Sequence, residues 1–288
     1  MTLTGVSRAR QIKGALFHAA CLAGVVVACL FLLSLLAIVL KDGLAGLNAK
    51  FFANSGSSFA NKAGIKSALA GSIWVVSLTI LAAVPIGVAT AVFLEELAPK
   101  RNRWISLVQT NINNLAGVPS IVYGLLGLAV FVRLMDLGRS VLSGGLTMAL
   151  LVLPLIIVVT QEAIKAVPSS LREGALALGA TKWQTIRTQV LPSARGNIVT
   201  GVILAVSRAI GETAPLIVVG AVSYIGRIPA GLDSKFTVLP IQIFDWTLHP
   251  SEDFKKLAAS AILVLLGLLL TLNGIAVYIR TRCVRRHS

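Results

Sequence analysis

The chain has 288 residues, 56% of them hydrophobic and 13% charged, with a net charge of +15. Average soluble domains carry roughly 25% charged residues, so this composition excludes an ordinary water-soluble globule. Most Lys and Arg lie between apolar runs, where membrane proteins keep their positive residues, and nucleic-acid binding is not expected.

About 20 apolar residues suffice to cross a bilayer. Residues 14–40 contain no Asp, Glu, Lys or Arg and form the first predicted span. Arg8, Arg10 and Lys13 ahead of it resemble the start of a signal peptide, yet the run far exceeds a cleavable core of about 7–15 residues, so a retained helix is expected. Segment 41–66, rich in Gly, Ser, Asn and Ala and without periodicity, reads as an external linker.

Residues 67–94 are the second predicted span and 104–132 the third. The third is unusually polar, with Asn111, Asn113 and Asn114 ahead of Ala116-Gly-Val-Pro-Ser120, and Pro119 is expected to kink or interrupt it. Its amides either bond across helices or line a water-filled path. Residues 140–161, 196–226 and 257–279 complete the set, with Arg208 and Glu212 inside the fifth. The expected class is an all-α membrane protein with six transmembrane helices. Trp74, Trp104 and Trp246 fall near span ends and read as interfacial anchors. Pro85, Gly87, Pro154 and Pro215 read as packing and kink positions, and Gly211 as a site of close helix approach.

Six spans put both termini on one side. With cytoplasmic termini, the inner segments carry fifteen Lys/Arg against ten outside, so the positive-inside rule favours that arrangement. Cys21, Cys29 and Cys283 form no CxxC spacing, and His18, His249 and His287 have no ligand partners in sequence, so neither a metal nor a cofactor is expected. The phosphate-cradling GxxxxGK[ST] loop is missing, as are HExxH and GxSxG. The chain is expected not to be an enzyme, and any ATP hydrolysis belongs to a partner.

Between the fourth and fifth spans, residues 162–195 carry helix punctuation twice. Ser170-Leu-Arg-Glu173 fits a capping box after Pro168, and Gly179 is placed to end that helix. Thr181-Lys-Trp-Gln184 fits a second box, and Pro192 is expected to stop the helix that begins there. Leu171, Ala175 and Leu178 share one face, and Trp183, Ile186 and Val190 another. Such an amphipathic pair either lies on lipid headgroups or docks into a groove on another protein.

This loop resembles the EAA loop of ABC importer permeases, in Glu173-Gly174-Ala175, Gly179 and Gln189-Val190-Leu191-Pro192. It departs from the pattern at Gly174 and Gln189. FLEELAP (93–99), NNLAGVPSIVYGLLGL (113–128), SRAIGETAPL (207–216) and LPIQIFDW (239–246) extend the likeness over about 64–280 and resemble the PstA permease family of phosphate importers. The resemblance implies a type-I, MetI-like permease core in helices two to six. Residues 1–64 then form a peripheral helix (about 15–40) and linker, and 65–280 the permease domain. It also implies that 162–195 couples to an ATPase through Glu173, Ala175, Gly179, Ala180, Trp183, Leu191 and Pro192. The implied partners are a PstC-like permease half, two copies of a PstB-like ATPase and a PstS-like extracytoplasmic phosphate-binding protein. The implied location is a bacterial cytoplasmic membrane. Sulfate, molybdate or phosphonate are alternative oxyanions, and an ATP-independent secondary transporter is the competing class.

Arg208 and Glu212, at i and i+4, are expected to share a helical face as an ion pair within the membrane. One reading is a structural lock between helices. The other is a guanidinium that faces the translocation pathway and contacts an oxyanion, together with Glu212, Asn113, Asn114 and Ser120.

Overall fold

The computed structural model describes residues 8–99, 102–221 and 225–284. The described residues are helical, without strands. Five helices are long and apolar enough to cross a membrane, and counting one bent pair as a single span gives six.

Helix α1 (Arg8–Leu44) spans 37 residues, about 55 Å at 1.5 Å per residue. Its apolar stretch is wholly exposed in this chain. Only its far end is held: Ser260 Oγ donates to the Gly43 carbonyl at 2.8 Å. A Cβ on Gly43 would lie 2.8 Å from the Ala259 carbonyl oxygen, so only glycine permits this approach.

The segment expected to be a linker is folded instead. Helix α2 (Ala49–Ala53) is capped by Asn48, whose side chain accepts from the Phe51 amide. Phe51, Ala63 and Ile65 pack into a cluster with Leu239, Trp246 and Phe254. Trp246 is 2% exposed there and is not an interfacial anchor, because the 48–65 segment folds over its ring. Trp74 and Trp104 are exposed.

The centre is the parallel pair α3 (Lys66–Val92) and α6 (Val141–Lys165), with α9 (Leu191–Ile210) across both. Gly87 admits Ile156, and Val75, Ala83, Met148, Val152, Ile156, Ala205 and Ala209 fill the core. Pro85 and Pro154 sit inside their helices. Helix α3 runs on through a π turn, Phe93–Leu97.

The third span is broken. Helices α4 (Arg103–Leu115) and α5 (Ser120–Gly127) meet at 105°. Pro119 disfavours helical geometry at Val118 and offers no N–H, so the chain leaves the helix at 116–119. Tyr123 Oη donates to the freed Leu115 carbonyl at 2.9 Å. Gln109 and Gln161 tie α4 to α6 by reciprocal amide bonds of 3.0 and 2.7 Å.

The predicted fifth span differs at both ends. It begins with α8 (Lys182–Thr185), passes through a π turn at Ile186–Val190 and continues as α9 to Ile210. Pro192 does not stop it, since it stands in the first turn after the wide π turn, where no N–H is required. The chain breaks instead at Gly211, before the short helix α10 (Ala214–Val219) with Pro215 in its first turn. Gly211 has only the Arg208 carbonyl within 4 Å of an added Cβ, so no helix approaches it closely. Helices α11 (Leu239–Leu248) and α12 (Glu252–Val284) close the fold, with α12 packed against α9.

Candidate functional site

Two features stand out. The first is a cavity of about 370 Å³ at the break between α4 and α5, opposite the break after α9. Residues 115–120 and Tyr123 form one wall, Leu151, Val152 and Leu155 of α6 the floor, and Ala205, Arg208, Ala209 and Glu212 the other side. Arg208 is exposed and Glu212 half-buried, so neither is enclosed in the chain.

The expected helical ion pair does not form. Arg208 ends α9, Gly211 caps it, and Glu212 lies in the break, off the helical register that would have aligned the two. Among the described residues no salt bridge joins them. Both side chains still border one cavity, together with Ser120 at the start of α5. A guanidinium there has five donors and no internal carboxylate claiming them, which suits it to an oxyanion.

Asn113 and Asn114 do not line this cavity. Both are exposed on α4, and Asn113 Oδ1 accepts from Gln109 Nε2 at 3.3 Å. Asn111 donates to the Leu107 carbonyl. The rotation that points Gln109 and Ile112 inward turns Asn111 and Asn114 away from the chain's own core, while Asn113, one turn from Gln109, stays bonded to it.

The second feature is the 162–195 loop. Helix α7 (Ser169–Ala177) starts from Pro168 and has no side-chain cap, so the Ser170 capping box is not formed. Pro168, with its fixed backbone, starts the helix two residues earlier than that box requires. At the other end Gly179 takes φ +86°, with Ala180 N–H on the Ala175 carbonyl and Gly179 N–H on that of Leu176. This is a Schellman ending, and it requires a left-handed residue. The Thr181–Gln184 capping box forms as expected.

The apolar faces divide unexpectedly. Ile186 and Val190 are buried against Val92, Ile164, Val167 and Ala194, which fixes the second short helix to the core. Trp183 is 56% exposed and does not join them, while Leu178 is 91% exposed and Leu171 and Leu176 are open to solvent. Glu173 and Pro192 are exposed, and Ala175, Ala180 and Leu191 half-buried. The loop thus presents an unpaired apolar surface beyond the end of the helical core.

Sequence reasoning passed over Arg172. Its Nη2 and Nε contact Glu96 Oε1 at 2.8 and 3.0 Å, and it also donates to the carbonyls of Ile164 and Val167. The adjacent Glu95-Glu96 pair at the end of the second span was the available signal.

These features accompany a family match. Residues 83–285 match the binding-protein-dependent transport system inner membrane component. The chain belongs to this family of membrane permeases. It is 37% identical to the probable ABC transporter permease protein YqgI of Bacillus subtilis over 65% of this chain and 63% of that one, so the match spans less than two thirds of the relative. It is 32% identical to the phosphate transport system permease protein PstA 1 of Mycobacterium tuberculosis, over 77% of this chain and 72% of that one. Its fold is similar to that of a bacterial ABC transporter for the acidic polysaccharide alginate, with a TM-score of 0.62 at 18% identity, covering 95% of this chain and 98% of the other. The expected permease fold is therefore present in an all-helical, multi-pass membrane protein.

Proposed function

We propose that the chain is one permease half of an ATP-driven importer of inorganic phosphate. The observation that carries this reading is Arg208, an exposed guanidinium on a cavity at the centre of apolar helices, with no salt bridge to Glu212 beside it. Placing a charge among apolar spans is costly, about 2.5–3.5 kcal/mol or more per residue, and such charges mark ion and substrate pathways. The likeness to PstA 1 supports phosphate as the anion.

In this reading Arg208 offers bidentate hydrogen bonds to phosphate, and Ser120 contributes its hydroxyl from the first turn of α5. Glu212 opposes the guanidinium's charge, keeping anion binding weak enough for release. Asn113 and Asn114 face outward within a span, where lipid cannot satisfy amides, so they meet a facing half that completes the path. That half is PstC-like.

The chain has no nucleotide loop, so ATP is hydrolysed by two PstB-like subunits. One of them grips Leu171, Leu178 and Trp183 of this chain, with Glu173, Ala175, Gly179, Ala180, Leu191 and Pro192 shaping the contact. A PstS-like protein delivers phosphate to the opposite face. The subunit lies in a bacterial cytoplasmic membrane with both termini inside, its core in 65–280, helix α1 peripheral and the segment after it folded onto the core.

The test is radiolabelled phosphate uptake by cells that lack their own subunit and carry this chain, with unlabelled sulfate, molybdate or phosphonate in excess. Uptake that resists all three supports phosphate. Uptake abolished by one of them reassigns the substrate, and none from an assembled complex rejects the assignment.

A further inference from the structure

Helix α7 is poorly anchored by packing. None of its residues is buried, and it is bounded by Pro168 on one side and by Gly179 at φ +86° on the other. Two such ends leave a short rigid segment between bends. The next helix is different, because Ile186 and Val190 root it in the core.

Besides its packing on α8 and the π turn at Ile186–Val190, α7 is tied to α3 and α6 by one side chain, Arg172. The Arg172 guanidinium uses three nitrogens: Nε and Nη2 donate to Glu96 Oε1, Nη1 to the Val167 carbonyl at 2.7 Å and Nη2 also to the Ile164 carbonyl at 2.9 Å. Ile164 belongs to the last turn of α6, where carbonyls lack helical partners. Glu96 lies in the π turn that ends α3, and its side chain is only 14% exposed. One planar group therefore joins α7, α3 and α6.

Little else duplicates this junction. Cavities of about 410 and 80 Å³ flank the Arg172–Glu96 pair. Next to it, Glu95 contacts Lys165 at 3.5 Å, an ion pair that links α3 to α6 but does not reach α7. Of the elements joined at Arg172, α6 also borders the cavity. Helix α6 supplies the cavity floor, and α3 packs along it.

We infer that Arg172, through Glu96 and the end of α6, is the positioning residue that passes movement of the ATPase-docking helix to the pathway helices. This rests on the proposed role of α7 in docking an ATPase. An arginine is required because the contact needs a fixed fork reaching a carboxylate and two carbonyls together, which a lysine ammonium cannot reproduce.

The experiment uses the complete transporter in proteoliposomes, comparing the parent with Arg172→Lys, Glu96→Gln and the exchange Glu96→Arg/Arg172→Glu. The readout is phosphate moved per ATP hydrolysed, with ATPase co-purification as the assembly control. In Arg172→Lys and Glu96→Gln, hydrolysis should stay within about twofold while phosphate per ATP falls at least about fivefold, the lower end of coupling between sites. The exchange should recover part of the loss. An unchanged ratio in assembled single variants overturns the inference. So does loss of assembly in Glu96→Gln, which leaves α7 itself unaltered, because the pair then serves assembly and not transmission. A parent complex that neither binds an ATPase nor moves phosphate with ATP is a failure of the proposed function instead, and it is read from the parent alone.

Discussion

Arg208, at the end of α9, and Glu212, in the break that follows, border one cavity, and no salt bridge joins them. Four residues apart, they would pair on a continuous helix. The break at Gly211, ahead of Pro215, separates them and leaves the guanidinium's donors available. The same interruption that disrupts the span makes the site.

Leu178 is 91% exposed on the 162–195 loop, beyond any packing within the chain. Leu178→Asp should abolish co-purification of an ATPase and leave the melting temperature of the isolated subunit unchanged within error. Retained co-purification would move the docking contact elsewhere on the loop.

The reciprocal amide bonds of Gln109 and Gln161 allow a double-mutant cycle. Gln161 is 1% exposed, so Gln161→Leu leaves the Gln109 Oε1 without its partner and should destabilise by about 1 kcal/mol. Gln109→Leu/Gln161→Leu removes both partners and should recover most of that loss. Thermal unfolding in detergent would reveal additive losses if the two amides do not pair.

Burial on α11 pushes the Asp245 carboxyl above its usual range, with the nearby His249 opposing the shift. A carboxyl whose pKa is raised by folding binds more protons folded than unfolded, so it favours the fold at acid pH. That contribution is lost as pH rises from the unfolded pKa through the folded one. Asp245→Asn should therefore raise the melting temperature at pH 7 but not at pH 4, relative to the parent. An equal gain at both would show that charge burial is not the cause.

Much of this architecture is legible as uncharged runs, since a span needs apolar length above all. The break at Pro119 is legible too, because proline constrains both itself and Val118 locally. Trp246 is not, because its burial depends on Phe51, distant in sequence and drawn in by tertiary packing. Pro192 misleads because the π turn before it shifts the register, and no short motif announces such a turn. Asn113 and Asn114 stand next to the cavity in sequence but do not line it, since α4 reaches it only with its last residue, Leu115. The Arg172–Glu96 contact joins positions 76 residues apart and becomes visible only once α3 and α6 are packed side by side.

The central claim is that this chain carries phosphate past Arg208 in an ATP-driven transporter. The most direct measurement is accumulation of radiolabelled phosphate in proteoliposomes holding the complete complex, with and without ATP, for the parent and for Arg208→Gln at equal ATPase content. The account predicts ATP-dependent accumulation by the parent and its loss in Arg208→Gln while the ATPase stays bound. Equal accumulation without ATP, or full transport by Arg208→Gln, would contradict it.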